Sequence, residues 1–196
     1  MKSMNFMMAT RGFLILSSFL LPVFGFAGEK TPEFTTLSGK KIAPLSHADD
    51  TVAVVIFITV DCPVANAYAP EINRLHQAFA DKPVRITLVH VDPDLSAEDA
   101  KKHASDYRLE APVIIDRKHR LVAITEARYT PEAAVYDAKG ERVYLGRINN
   151  LYSGFGDRRR VVTEHNLRDA ITAALAGKPV TKPKVEPVGC YIPDLD

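Results

Sequence analysis

Two side chains in this 196-residue chain are suited to covalent chemistry, its two cysteines, Cys62 and Cys190. Cys62 lies in Ile58-Thr-Val-Asp-Cys-Pro-Val-Ala-Asn66, directly after an apolar run. A thiol at a strand-to-helix junction meets the unpaired N–H groups of the helix start. Those groups favour the thiolate, the form that attacks disulfides, peroxides and metals. Asp61 opposes this, because a neighbouring carboxylate disfavours a second negative charge. The alternative is a cysteine buried as a small apolar residue. Cys62 stands between Asp61 and Pro63, at the end of the apolar run rather than inside it, which favours the reactive reading. Cys190 lies near the C-terminus in Val188-Gly-Cys-Tyr-Ile192.

The elements that must position these thiols follow from periodicity. Residues 51–59 (TVAVVIFIT) form a continuous β-branched run, the pattern of a strand buried on both faces. Val64, Tyr68, Ile72, Leu75 and Phe79 then mark one face of a helix over 64–79, which Pro70 should kink. Pro63 suits its first turn. Residues 84–91 form a second strand, and Ser96 with Asp99 opens a helix running to about Tyr107. Residues 112–115 read as a short buried strand, and 117–127 as a short helix. Residues 132–137 and 142–145 pair through an Asp-Ala-Lys-Gly140 turn. Thr163 is expected to cap a last helix over 164–176, ended by Gly177 and Pro179. A short hairpin over residues 34–45, turning at Ser38-Gly39, precedes all of this. The order predicts an α/β fold, a mixed central sheet with helices on both faces.

Residues 1–27 stand apart. Lys2 and Arg11 precede a nearly uninterrupted apolar stretch over 12–26, and Gly25 and Ala27 sit at small-residue cleavage positions. This predicts a signal peptide removed near Ala27, an exported protein (periplasmic or secreted), and no stable membrane span afterwards. Residues 28–177 then make the folded domain, and 178–196 a Pro-rich arm carrying Cys190. Export places both cysteines where a disulfide can persist. A net charge of +1 gives no electrostatic reason to expect nucleic acid as a partner.

The pattern of a strand, Cys62-Pro63 at a helix start, Pro70 seven residues on, and Thr130-Pro131 before a hairpin resembles the thioredoxin fold, a three-layer sandwich. It most resembles the redoxin branch, the alkyl hydroperoxide reductase/thiol-specific antioxidant (AhpC/TSA) family, over about residues 32–177. The resemblance implies a cis Thr130-Pro131 bond beside the cysteine, with Thr130, Pro131 and Pro63 shaping a substrate groove. Thr59-Val-Asp-Cys62-Pro63 is similar to the peroxiredoxin Thr-x-x-Cys-Pro, which implies that Thr59 and an arginine polarise a bound peroxide. The first proline of that motif is replaced by Val55. The thioredoxin Cys-x-x-Cys is interrupted by Ala65, and the Cys-x-x-x-Cys of copper-delivery relatives by Asn66. No metal site and no dissociable cofactor are expected. A subgroup of exported redoxin-like proteins shares the Gly-Cys ending after Ala176-Gly-Lys-Pro-Val180.

Cys190 is then the candidate resolving thiol, attacking an oxidised Cys62 to give a Cys62–Cys190 disulfide. A permanent staple between the same residues would stabilise by roughly 4–5 kcal/mol in the chain-entropy model. Pairing between two chains stays open. The resemblance also implies that the loop after the 142–145 strand approaches the thiol, which makes Arg147 the candidate arginine there. His90 and Glu71 are candidate proton carriers. Arg158-Arg-Arg160 reads as a solvated loop, and Asp92-Pro-Asp94 as turn chemistry. The expected activity is that of an exported thiol oxidoreductase acting on protein disulfides or hydroperoxides, restored by an external, thioredoxin-like thiol donor. The alternatives are a thiol peroxidase proper, and a non-enzymatic binding module with a structural disulfide.

Overall fold

The apolar run expected as a buried strand over 51–59 is one from Val52 to Ile58, with Thr51 and Thr59 half-buried just outside it. All seven residues of Val52–Ile58 are buried, and successive side chains enter two different cores. Val52, Val54, Ile56 and Ile58 join one cluster; Ala53, Val55 and Phe57 join the other. That is the period-two geometry of a strand with both faces covered. The protein is seen in a computed structural model that describes Met1 and residues 31–195; the signal-peptide reading of residues 1–27 lies outside the described residues.

In chain order the elements are β1 (Phe34–Thr35), β2 (Lys41–Ile42), β3 (Val52–Ile58), α1 (Pro63–Ala67), α2 (Ala69–Ala78), β4 (Val84–His90) and α3 (Ala97–Asp106). There follow β5 (Val113–Ile115), α4 (Arg120–Thr125), β6 (Tyr129–Thr130), β7 (Glu132–Tyr136) and β8 (Arg142–Gly146). The last are β9 (Tyr152–Gly154), β10 (Asp157–Arg158), α5 (Asn166–Leu175), β11 (Lys184–Val185) and β12 (Cys190–Tyr191). The main sheet runs β11-β8-β7-β3-β4-β5. β3, β4 and β5 are parallel, while β7 is antiparallel to both β3 and β8. Tyr68, Ile72 and Leu75, with Leu167, Ala170 and Ile171 of α5, cover one face. Phe34, Leu45 and Leu121 of α4 cover the other. The fold is therefore α/β and thioredoxin-like, with a mixed sheet and helices on both sides.

Several boundaries differ from the periodicity, each for a local reason. The helix expected over 64–79 is two helices, broken at Tyr68, because Pro70 falls in the first turn of α2 and has no N–H to continue α1. Thr163 does not cap the last helix. Its hydroxyl accepts from Asn150 Nδ2 at 2.7 Å and its N–H donates to Asn150 Oδ1 at 2.9 Å, so α5 starts two residues later than expected, at Asn166. The helix expected over 117–127 shrinks to α4, because buried Asp116 takes the N–H groups of Arg120, Leu121 and Val122 and fixes its start. Ser96 does accept from Asp99 N–H, at 3.0 Å, as its position before α3 predicts. β9 and β10 form a small hairpin that takes in Arg158, the first residue of the Arg158-Arg-Arg160 run read as a solvated loop.

The arm is not loose. β11 adds to the sheet in parallel with β8, pairing Lys184 with Leu145 and Val185 with Gly146. β12 pairs antiparallel with β6, placing Cys190 opposite Thr130. Gly146 makes the first docking possible. It has φ +155, and a Cβ there would press on the Val185 carbonyl, lying 2.9 Å from its carbon. Gly146→Ala should therefore lower stability by about 1–3 kcal/mol, the usual range for overpacking. Urea denaturation of the two proteins measures this, and an unchanged midpoint would show that the β8–β11 contact yields freely.

Candidate active site

β3 delivers the chain to Cys62 through Thr59, Val60 and Asp61. Cys62 is the N-cap of α1, with extended φ and ψ of −86° and 107°. Its sulfur has no exposed surface. The Cys62 thiol donates to the Thr130 carbonyl at 3.0 Å, and the Ala65 N–H donates to its sulfur at 3.4 Å. Since α1 has only five residues, its macrodipole is small. The electrostatic support expected from a long helix is instead local, from individual N–H and S–H groups. Asn66, one turn on, donates to the Val60 carbonyl at 2.8 Å and pairs through Oδ1 with His103 Nε2 at 2.8 Å. These bonds tie the cysteine loop to α3.

The second wall is the Thr130-Pro131 segment, whose peptide bond is cis. Glu132 holds it from behind. This carboxylate is buried, and its Oε2 accepts from the N–H groups of Arg128 and Tyr129 at 2.7 and 3.1 Å. Burial raises its pKa and those two bonds lower it, with a net upward result. The Arg128 and Tyr129 amides are thereby turned inward. The outer side of β6 receives β12, where the Ile192 N–H donates to the Arg128 carbonyl at 2.9 Å. Tyr191 stacks on Tyr129 with ring centroids 4.7 Å apart.

This pairing brings the two cysteines together. Both are free thiols, Cys62 buried and Cys190 half-buried. Burial pushes the Cys62 pKa up, but the donors near its sulfur, the Cys190 thiol, the Ala65 and Cys190 amides and the Thr130 hydroxyl, more than offset it, so the pKa is lowered. Cys190 moves the other way, to about 11, through burial and then through its role as donor to Cys62 and that sulfur's charge. The Thr130 hydroxyl is buried and makes no full hydrogen bond. An orphaned buried hydroxyl is costly. An ionised Cys62 gives it an acceptor.

Of the residues expected at the site, Cys62, Cys190, Thr130 and Pro131 converge, with Pro63 exposed beside the thiol. Thr59 is half-buried and has no recorded hydrogen bond. Arg147 is held elsewhere: its guanidinium donates to Asn166 Oδ1 at 2.8 Å and Glu164 Oε2 at 3.1 Å. Glu71 pairs with Arg74 at 2.7 Å and Arg168 at 3.6 Å, which occupies both its oxygens. His90 packs edge-on against His103 at 5.0 Å, its ring nitrogens unpartnered and its pKa lowered by burial to about 3. It therefore stays neutral near physiological pH. Asp61 is exposed and acts on His103, while the groups that shift Cys62 do not include it. Among the described residues no three His, Cys, Asp or Glu side chains group to hold a metal, and no helix is long and apolar enough to cross a membrane. Glu132 and Asn66 were not singled out from sequence. The available signals were a carboxylate opening the apolar run Glu-Ala-Ala-Val-Tyr136 and an amide one turn after Cys62.

Comparison with known proteins gives the chain relatives of the same fold. The chain is 25% identical over 125 residues to the thioredoxin-like protein YneN of Bacillus subtilis, covering 62% of this chain and 72% of that one. A conserved protein from Geobacillus kaustophilus shares the fold with a TM-score of 0.73 and 24% identity, covering 86% of this chain and 92% of its own. A secreted disulfide oxidoreductase from Mycobacterium tuberculosis superposes with a TM-score of 0.52 and 20% identity, over 75% of this chain and 96% of that one. The AhpC/TSA family pattern matches residues 27–143, more than half the chain, and stops before the arm and Cys190. With the strand, the Cys-Pro start and the cis-proline wall inside that match, the chain belongs to the AhpC/TSA family.

Proposed function

We propose that this chain is an exported thiol–disulfide oxidoreductase in which Cys62 is the nucleophile and Cys190 the resolving thiol. The observation that carries this reading is the β12–β6 register, which sets Cys190 opposite Thr130, whose carbonyl the Cys62 thiol meets at 3.0 Å; beside it, the two acidities are driven apart. A pair in which one sulfur ionises easily and the other holds its proton has a defined order of attack. Export rests on the pattern of residues 1–27.

In the first step the Cys62 thiolate attacks one sulfur of a disulfide. A new S–S bond joins Cys62 to that sulfur, and the other sulfur leaves as a thiolate and takes a proton from solvent. In the second step Cys190 gives up its proton and attacks Cys62, forming the Cys62–Cys190 disulfide and releasing the second substrate thiol. The substrate disulfide gains two electrons and the protein dithiol loses two. An external dithiol of the thioredoxin type restores the starting state. The Thr130 hydroxyl and the Ala65 and Cys190 amides steady the Cys62 thiolate before attack. A disulfide substrate is favoured over a hydroperoxide because Arg147, the expected peroxide-polarising arginine, is committed to Glu164 and Asn166.

Two measurements check this. Ultraviolet thiolate absorbance of the reduced protein should rise in two steps, one below the ordinary cysteine range from Cys62 and one near pH 11 from Cys190. Cys190→Ala should remove the upper step and move the lower one upward, since a hydrogen-bond donor to the thiolate is lost. A single step at the ordinary value in both proteins would remove the basis for the assignment.

The second measurement is disulfide exchange. The reduced protein should reduce a model protein disulfide, Cys62→Ser should abolish this, and Cys190→Ser should trap a mixed disulfide at Cys62. The Cys62–Cys190 pair should have a potential well above about −300 mV, as working rather than structural disulfides do. A lower potential with no exchange would make the bond a staple. Rapid peroxide consumption without disulfide exchange would make the protein a thiol peroxidase.

A further inference from the structure

The nucleophile is closed off by the chain's own arm. Cys62 has no exposed surface, and β12 lies along β6 with Cys190 opposite Thr130. The seat of β12 is a strand edge, since among the described residues β6 pairs with β12 alone. It accepts an extended peptide by antiparallel pairing, here including the Ile192 N–H to Arg128 carbonyl bond.

The arm also records which peptide fits. Gly189 packs directly on the Thr130 carbonyl, where a Cβ would collide with the oxygen and come within 2.7 Å of the carbon. Its φ lies outside the left-handed range, so the demand for glycine is one of space, not of backbone conformation. Cys190 then stands opposite Thr130, whose carbonyl the Cys62 thiol meets at 3.0 Å, and Tyr191 lays its ring on Tyr129, the two hydroxyls 3.3 Å apart. Tyr191 is nonetheless 74% exposed, so its ring is supported from one side only. Glu132 fixes the β6 backbone from behind, which makes the seat a preformed surface.

We propose that this seat selects extended polypeptides carrying Gly-Cys-aromatic, and that Gly189-Cys190-Tyr191 occupies it as a tethered competitor. The proposal rests on the oxidoreductase reading above and names its substrate class. The incoming peptide, disulfide-bonded through its cysteine, displaces β12. The Cys62 thiolate attacks the peptide's sulfur, the Cys62–peptide disulfide forms, and the former partner sulfur leaves as a thiolate and is protonated. Cys190 then attacks Cys62, the peptide departs as a thiol, and β12 settles into the vacated seat. Occupancy by the arm sets how often Cys62 is available. Cysteines preceded by any side chain bulkier than hydrogen meet the Thr130 carbonyl and are rejected.

The test uses the full-length reduced protein and peptides of sequence Pro-Val-Gly-Cys-Tyr-Ile-Pro, activated as mixed disulfides with a chromogenic thiol. Release of the chromophore reports attack by Cys62. At a pH above the ordinary cysteine range, where Cys62 is ionised with or without the arm's donors, the peptide with alanine in place of its glycine should react about tenfold more slowly, and Gly189→Ala in the protein should speed attack on the glycine peptide about tenfold by evicting the arm. Tyr191→Ala, which alters only an exposed ring, should give a smaller acceleration and covers the case in which Gly189→Ala does not fold. Equal rates for the glycine and alanine peptides would overturn the selection. No acceleration in either folded variant would overturn the competition. If neither peptide nor a small chromogenic disulfide reacts at Cys62 in any of these proteins, the oxidoreductase reading itself fails, a result distinct from the other two.

Discussion

A sulfur with no contact to water is held ready to ionise, and much of the molecule serves that one constraint. Burial alone would keep Cys62 protonated. What opposes burial is a set of short-range donors brought from three places in the sequence: the Ala65 amide one turn on, the Thr130 hydroxyl beside the cis bond, and the thiol and amide of Cys190 from the arm. None of them is charged. The site tunes acidity with dipoles whose positions are fixed by the backbone, so it depends on strand register and loop geometry more than on any ion pair.

That dependence explains what surrounds the site. β3 and β7 are paired along their length, which sets the separation between the Cys62 loop at one strand's end and the Thr130-Pro131 bend at the other's beginning. Glu132 spends a buried carboxylate on two amides of the bend, and Asn66 spends its side chain on the Val60 carbonyl and His103. Such buried polar groups stabilise a single arrangement because leaving any of them unpaired is unfavourable. They are scaffolding for the thiol rather than reactants.

Much of this was legible in the sequence where the signal was local. The uninterrupted apolar run of β3, the Cys62-Pro63 step and the Asp137-to-Gly140 turn are each written in a few adjacent residues. What was not legible depends on distant partners. Arg147 follows its strand as expected, yet Glu164 and Asn166 claim its guanidinium, and nothing near Arg147 announces them. Thr163 has the side chain of a cap, but Asn150 competes for it successfully. The arm lacks any periodicity, because each docked stretch is two residues long and is recognised by glycines, Gly146 in the sheet and Gly189 in the arm, rather than by an apolar face.

The anchoring of β11 sets a further limit on how the arm can behave. Only residues 186–189 separate Val185, pinned to the sheet edge, from Cys190. Fully extended, that tether spans roughly 17 Å, at about 3.3–3.6 Å per residue. A Cys190 that leaves its seat therefore remains in a small volume around Cys62. Its effective concentration stays in the millimolar range or above, as for short tethers generally. A freely diffusing thiol must reach a comparable concentration to intercept a mixed disulfide before the chain closes on itself. The protein thus carries its own kinetic preference for intramolecular closure, set by the length of a four-residue leash rather than by the reactivity of either sulfur.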